Sequence, residues 1–128
     1  MTDYSGLKVL VADDDSLFLD FVKMVLSDLG IRDVVSVGDG TDAARNIIET
    51  EQDFDLVICD YKMPGFSGMD VFRLIRKADI PVKFVMITAR DRNEDAETIS
   101  GGGCENFIAK PIEPKTLRDT LEAILREN

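Results

Sequence analysis

Short, uninterrupted apolar runs alternate along this chain with longer segments in which apolar residues recur every three or four positions. The runs at 7–12, 33–37, 55–59, 82–87 and 106–109 read as strands. The segments at 15–29, 40–51, 68–78, 92–101 and 113–127 read as helices. Val9-Leu10-Val11-Ala12, Leu56-Val57-Ile58-Cys59 and Phe84-Val85-Met86-Ile87 are apolar at every position, as central strands covered on both faces must be. The second and fifth runs are shorter and more mixed, which suits the edges. Strict alternation of strand and helix predicts an α/β fold with a parallel sheet. No internal repeat, low-complexity segment or linker interrupts the pattern. The expectation is one domain over 1–128, with its core at 7–125 and no output domain.

Two helices stand apart. In 15–29, Phe18, Phe21, Val22, Val25 and Leu29 form one stripe, flanked by Leu17 and Met24 on one side and Leu19 and Leu26 on the other. This arc is wider than a one-sided surface helix requires. It fits either a broad core-facing surface with some exposed leucine or a face that docks a partner. In 92–101 only Ala96 and Ile99 are apolar, and Gly101-Gly102-Gly103 follow. Glycine disfavours a helix by about 1 kcal/mol relative to alanine, so this helix is expected to be the most weakly anchored. It is either an ordinary surface helix ended by glycine or a segment suited to moving.

Composition narrows the function classes. The 128 residues suffice for one domain with a real core. With 25 acidic and 15 basic residues the net charge is −10, which argues against nucleic-acid binding through clustered cations. No apolar run approaches the length of a membrane span, and residues 1–6 lack the basic and apolar regions of a signal peptide. Cys59 and Cys104 form neither a disulfide framework nor a metal-ligand spacing. A cytoplasmic location is expected. There is no histidine, so neither a histidine base nor a self-phosphorylating histidine resides here.

The chemistry lies at the ends of the apolar runs. Asp13 and Asp14 end the first, Asp60 the third, Thr88 the fourth, and Lys110 the fifth. In a parallel sheet these ends share one edge, which would carry three carboxylates, a hydroxyl and an ammonium. Such a set suits a divalent cation and phosphoryl transfer to a carboxylate. Each residue also has an ordinary reading. Aspartate is a favoured helix N-cap, a role that Asp14 or Asp15 alone would fill. Asp60 can be a turn residue before Pro64-Gly65, Thr88 a β-branched strand end, and Lys110 a solvated lysine. If Lys110 lies opposite Asp60, it can pair with that carboxylate and then with a phosphate. The Lys110–Pro111 bond is a candidate cis peptide.

The segments Val9-Leu10-Val11-Ala12-Asp13-Asp14-Asp15-Ser16, Asp60-Tyr61-Lys62-Met63-Pro64-Gly65, Ile87-Thr88-Ala89 and Lys110-Pro111, in this order and spacing, resemble the receiver domain of bacterial two-component response regulators. The likeness runs from Leu7 to Leu125, at a size similar to the stand-alone chemotaxis receivers. It implies a flavodoxin-like, doubly wound, five-stranded parallel sheet in the order 2-1-3-4-5 with five helices and ligands at the switch point. It implies that Asp60 accepts a phosphoryl group from a sensor histidine kinase or histidine phosphotransfer protein. Asp13, Asp14, Asp60 and the backbone carbonyl of Lys62 would hold Mg2+, and Thr88 and Lys110 would grip the phosphoryl group. Phe107 matches the aromatic switch position. As Thr88 moves toward the phosphate, Phe107 would turn inward and the face of the fourth helix, fifth strand and fifth helix would change its partner preference.

The resemblance further implies a signalling receiver rather than an enzyme, with self-catalysed phosphoryl transfer and slow autodephosphorylation. An unidentified downstream protein would be its target, with the receiver a monomer or weak dimer. Two departures stand out. Gly102-Gly103-Cys104 replaces the usual Ala-Gly-Ala-like stretch, and Lys62 and Arg90 are both long and cationic at positions that influence dephosphorylation. We expect this pair to shield the phosphoryl group from water. A phosphate sink or phosphorelay intermediate without its own target is the alternative within the family. A haloacid-dehalogenase-type phosphohydrolase fits less well, because Leu17 stands where Thr or Val is expected and the chain is short for that fold. A flavin carrier would need a phosphate cradle where Asp13-Asp14-Asp15 would repel the anion. A silent scaffold is disfavoured because every chemical position is filled.

Overall fold

A computed structural model describes residues 3–49, 53–89 and 93–127. Strand and helix alternate as β1 (Lys8–Ala12), α1 (Ser16–Asp28), β2 (Asp33–Val37), α2 (Gly40–Ile48), β3 (Leu56–Asp60), α3 (Gly68–Lys77), β4 (Lys83–Ala89), α4 (Asn93–Gly101), β5 (Phe107–Lys110) and α5 (Pro114–Arg126). The five strands form one parallel sheet in the order β2-β1-β3-β4-β5, with β2 and β5 at the edges as expected. Arg90, Thr50, Glu51 and Arg92 lie outside the described residues.

Alternate residues of a strand point to opposite faces, and each face here meets its own helices. Leu10, Ala12, Val57, Cys59, Phe84 and Met86 turn toward α2, α3 and α4, where Ala43, Ile47, Val71, Phe72, Ile75 and Ile99 complete one core. Val9, Val11, Leu56, Ile58, Val85 and Ile87 turn toward α1 and α5, meeting Val22, Val25, Leu26, Leu117, Leu121 and Ile124. The wide apolar arc of α1 therefore divides. Val22, Val25 and Leu26 are buried, Phe18 and Phe21 half-buried, and Leu17 and Met24 remain 78% and 51% exposed.

The strands run further than their apolar runs. Asp60 is in register with Ile87, Thr88 with Ala109, and Ala89 with Lys110. Backbone pairing is indifferent to the polarity of a side chain at the open end of the sheet, so the ladder carries these polar residues one or two positions beyond the hydrophobic pattern. Asp60, Thr88 and Lys110 are consequently held by the sheet rather than by loops.

The turn after β3 is pinned in two ways. The Gly68 amide donates to the Tyr61 carbonyl at 2.8 Å. Ser67 and Asp70 form a reciprocal capping box at the start of α3, at 3.1 and 2.9 Å. A Cβ on Gly68 would fall 2.5 Å from the Asp60 carbonyl oxygen, so only glycine lets α3 start this close to the strand end. Cys104 takes its place before β5 as a small buried side chain.

Candidate functional site

Past Ala12 the chain leaves the sheet without leaving its cover. The Asp13 amide donates to the Val37 carbonyl at 3.1 Å, and its side chain is only 1% exposed. One Asp13 oxygen accepts from the Asp15 amide at 2.8 Å and the other from the Lys110 ammonium at 2.9 Å. Asp15 is the N-cap of α1, its carboxylate accepting from the Leu17 amide at 3.0 Å. Capping is thus complete without Asp13 or the exposed Asp14. Carboxylate oxygens of Asp13, Asp14 and Asp60 lie within 4.8 Å of one another.

Asp60 closes β3 at 8% exposure, beside Thr88 of β4 at 3%. Lys110 enters from β5, but it donates to Asp13 rather than to Asp60. Its ammonium also sits 4.3 Å from the centre of the Phe18 ring. The Lys110–Pro111 peptide is cis. Lys62 is exposed in the turn after Asp60, and Phe107 is 39% exposed at the start of β5. The sheet edge therefore brings together Asp13, Asp14, Asp60, Thr88 and Lys110, with Phe107 at the far end of β5. In the sequence Phe18 is legible only as part of an apolar stripe. Its position just inside the helix that follows the acidic cluster was the available signal.

Burial dominates the electrostatics. It raises the Asp60 carboxyl from an ordinary 3.8 to about 7, reinforced by the charge of Asp13 and opposed by Lys110. Burial also raises Asp13, against the hydrogen bond from the Asp15 amide and the pairing with Lys110. The neighbouring Cys59 thiol is pushed far upward by burial and then by the charges of Asp60 and Asp13, which keeps it protonated and inert.

A stability profile follows. Folded Asp60 holds its proton more tightly than the unfolded chain does. Ionising it therefore destabilises the fold progressively as pH rises from 3.8 to about 7. Without divalent cations, Asp60→Asn is expected to exceed the parent in stability by about 2 kcal/mol at pH 8, after discounting for coupling to Asp13. The gap should close near pH 4. Urea unfolding of both chains across this range measures it, and a pH-independent gap would assign the effect to packing instead.

Among the described residues the clustered donors are the carboxylate oxygens of Asp13, Asp14 and Asp60, which suits a hard divalent cation such as Mg2+ and not a softer metal that prefers nitrogen or sulfur. A cation there would also relieve the repulsion between the buried Asp13 and Asp60. No helix among the described residues is long and apolar enough to cross a membrane.

Comparison with known proteins agrees with this geometry. Residues 9–122 match the response regulator receiver domain family. The chain is 37% identical over 121 residues to the DNA-binding response regulator MtrA of Mycobacterium tuberculosis, spanning 94% of this chain and 51% of MtrA. It thus covers about half the length of the mycobacterial relatives that it matches. It is 32% identical to the chemotaxis protein CheY1 of Helicobacter pylori, spanning 95% of this chain and 99% of CheY1. The receiver domain of the sensor histidine kinase PA1611 from Pseudomonas aeruginosa superposes with a TM-score of 0.82 at 26% identity, covering 95% of this chain and 99% of that one. A doubly wound sheet in receiver order, an acidic cluster at its switch point and a family match over most of its length make this chain a member of the response regulator receiver domain family.

Proposed function

We propose that the chain accepts a phosphoryl group on Asp60 from a phosphohistidine of a sensor kinase or phosphotransfer protein and thereby changes its protein partners. The observation that carries this reading is a buried carboxylate at a strand end, clustered with two further carboxylates and flanked by Thr88 and Lys110. An Asp60 oxygen attacks phosphorus as the bond from phosphorus to the donor nitrogen breaks. The carboxylate needs no base once ionised. Asp13, Asp14, Asp60 and the Lys62 carbonyl would hold Mg2+, as the PA1611 receiver is described with magnesium in its active-site cleft. When bound, the ion supplies the positive charge that lets an anionic phosphoryl group approach three carboxylates. Thr88 donates its hydroxyl to a phosphoryl oxygen, and Lys110 exchanges Asp13 for a second one. Movement of Thr88 along β4 frees the space into which Phe107, now exposed, turns, altering the α4-β5-α5 surface.

Incubation with Mg2+ and acetyl phosphate, followed by rapid intact-mass measurement, tests the reading. One phosphoryl group gained, and lost again on standing, is the expected result. No gain while Mg2+ binds would remove self-catalysed transfer from the account.

A further inference from the structure

We infer that Phe18 is a positioning residue that keeps the Lys110 ammonium at the acidic cluster by a cation–π contact. This rests on the reading of Lys110 as the group that grips the phosphoryl oxygens, and gives that grip its structural origin.

Lys110 is the last residue of an edge strand, and its side chain is 29% exposed on a stem with four rotatable bonds. One side of it borders an open groove of about 530 Å³, whose walls include Leu17, Phe18, Phe21 and Ile112. Nothing in β5 itself stops the ammonium from swinging into that groove. Among the described residues two contacts hold it at the cluster: the Asp13 carboxylate at 2.9 Å and the Phe18 ring, whose centre is 4.3 Å from the nitrogen. The ring lies well inside the reach of a cation–π attraction, about 6 Å.

The ring is itself held. Phe18 is half-buried, packs against the core beneath α1 and stacks on Phe21 with centroids 5.8 Å apart, tilted by 41°. It is the third residue of α1, whose start is fixed by the Asp15 cap, and Asp15 in turn donates its amide to Asp13. The ring that holds the lysine and the carboxylates that it serves are therefore linked through the start of α1.

The chemistry explains why a ring suits this place. A ring face attracts a cation without accepting a directed hydrogen bond, so the ammonium keeps its donors free. It can release Asp13 and donate to a phosphoryl oxygen while staying over the same ring. A carboxylate at position 18 would compete for those donors and add negative charge beside the phosphodonor. A leucine would fill the volume but lack the negative face.

Two measurements decide it. In the first, Lys110 and Lys23 are acetylated by a small amine-reactive ester in the metal-free chain, and the ratio of their rates is read by peptide mass. Phe18→Leu and Phe18→Met are expected to raise the relative rate of Lys110 about fivefold, and Phe18→Tyr and Phe18→Trp to return it to the parental value. In the second, phosphoryl uptake from acetyl phosphate is timed. Phe18→Leu should slow it about fivefold in the parent and leave it unchanged in a Lys110→Met background. Parental labelling of Lys110 in both non-aromatic variants would overturn the inference. So would aromatic variants no better than leucine, or equal slowing in the Lys110→Met background. Should the parent take up no phosphoryl group, self-catalysed transfer to Asp60 leaves the account, and the labelling ratio still decides the role of Phe18.

Discussion

Asp60→Asn is expected to abolish phosphoryl uptake, lowering its rate at least about a thousandfold, or about 4 kcal/mol of barrier. The amide retains the shape of the side chain and its place at the end of β3, but its oxygen carries no charge with which to attack phosphorus. The neighbouring acids are poor substitutes. Asp13 is tied to the Asp15 amide and to Lys110, and Asp14 is the exposed member of the cluster. The same variant is the one expected to be more stable than its parent at neutral pH, because burial and the charge of Asp13 work against ionised Asp60. Loss of activity with a gain in stability would separate a chemical effect from misfolding. Timed intact mass with peptide mapping is the measurement. A phosphoryl group recovered on Asp13 or Asp14 in the parent would move the acceptor. Undiminished uptake by the Asn variant would end the assignment.

The second large effect is structural. Gly40 is the first residue of α2, following the Asp39 cap whose carboxylate accepts from the Asp42 amide at 2.7 Å. Helix propensity alone would favour alanine there by about 1 kcal/mol at most. A Cβ at this position would lie 1.9 Å from the Phe66 carbonyl oxygen and 2.6 Å from its carbonyl carbon. Backbone cannot yield as a flexible side chain does, so α2 or the turn after β3 must shift. Overpacking of this kind costs about 1–3 kcal/mol and sometimes more. Gly40→Ala is expected to lose about 3 kcal/mol net. Gly38→Ala, with nothing within 4 Å of the added carbon, should stay near the parental value. Denaturant melts of the two variants compare them directly. Equal stabilities would show that the loop at Phe66 relaxes freely. Because that loop leads back from α3 to Asp60, the destabilised variant should also take up phosphoryl groups more slowly.

The order of strands and helices was legible in the hydrophobic pattern, because a strand covered on both faces must be apolar at every position and an amphipathic helix repeats every three or four. The candidate chemistry was legible as well. Asp13, Asp14, Asp60, Thr88 and Lys110 each end such a run, and parallel strands bring their ends to one edge. The ends of β3 and β4 were less legible, because hydropathy reports burial and not backbone pairing, which continues through Asp60, Thr88 and Ala89.

Partnership inside the site belonged to the tertiary structure alone. Asp14 and Asp15 are equal candidates for the helix cap in sequence, and only backbone direction after Asp13 awards it to Asp15. Lys110 carries one positive charge among several acids, and its choice of Asp13 and of the Phe18 ring depends on where α1 begins relative to β5. Local pattern determines which residues face inward and which end each strand. Distances of a few ångströms between elements remote in sequence are set by how the helices pack on the sheet, and those distances decide which charges meet.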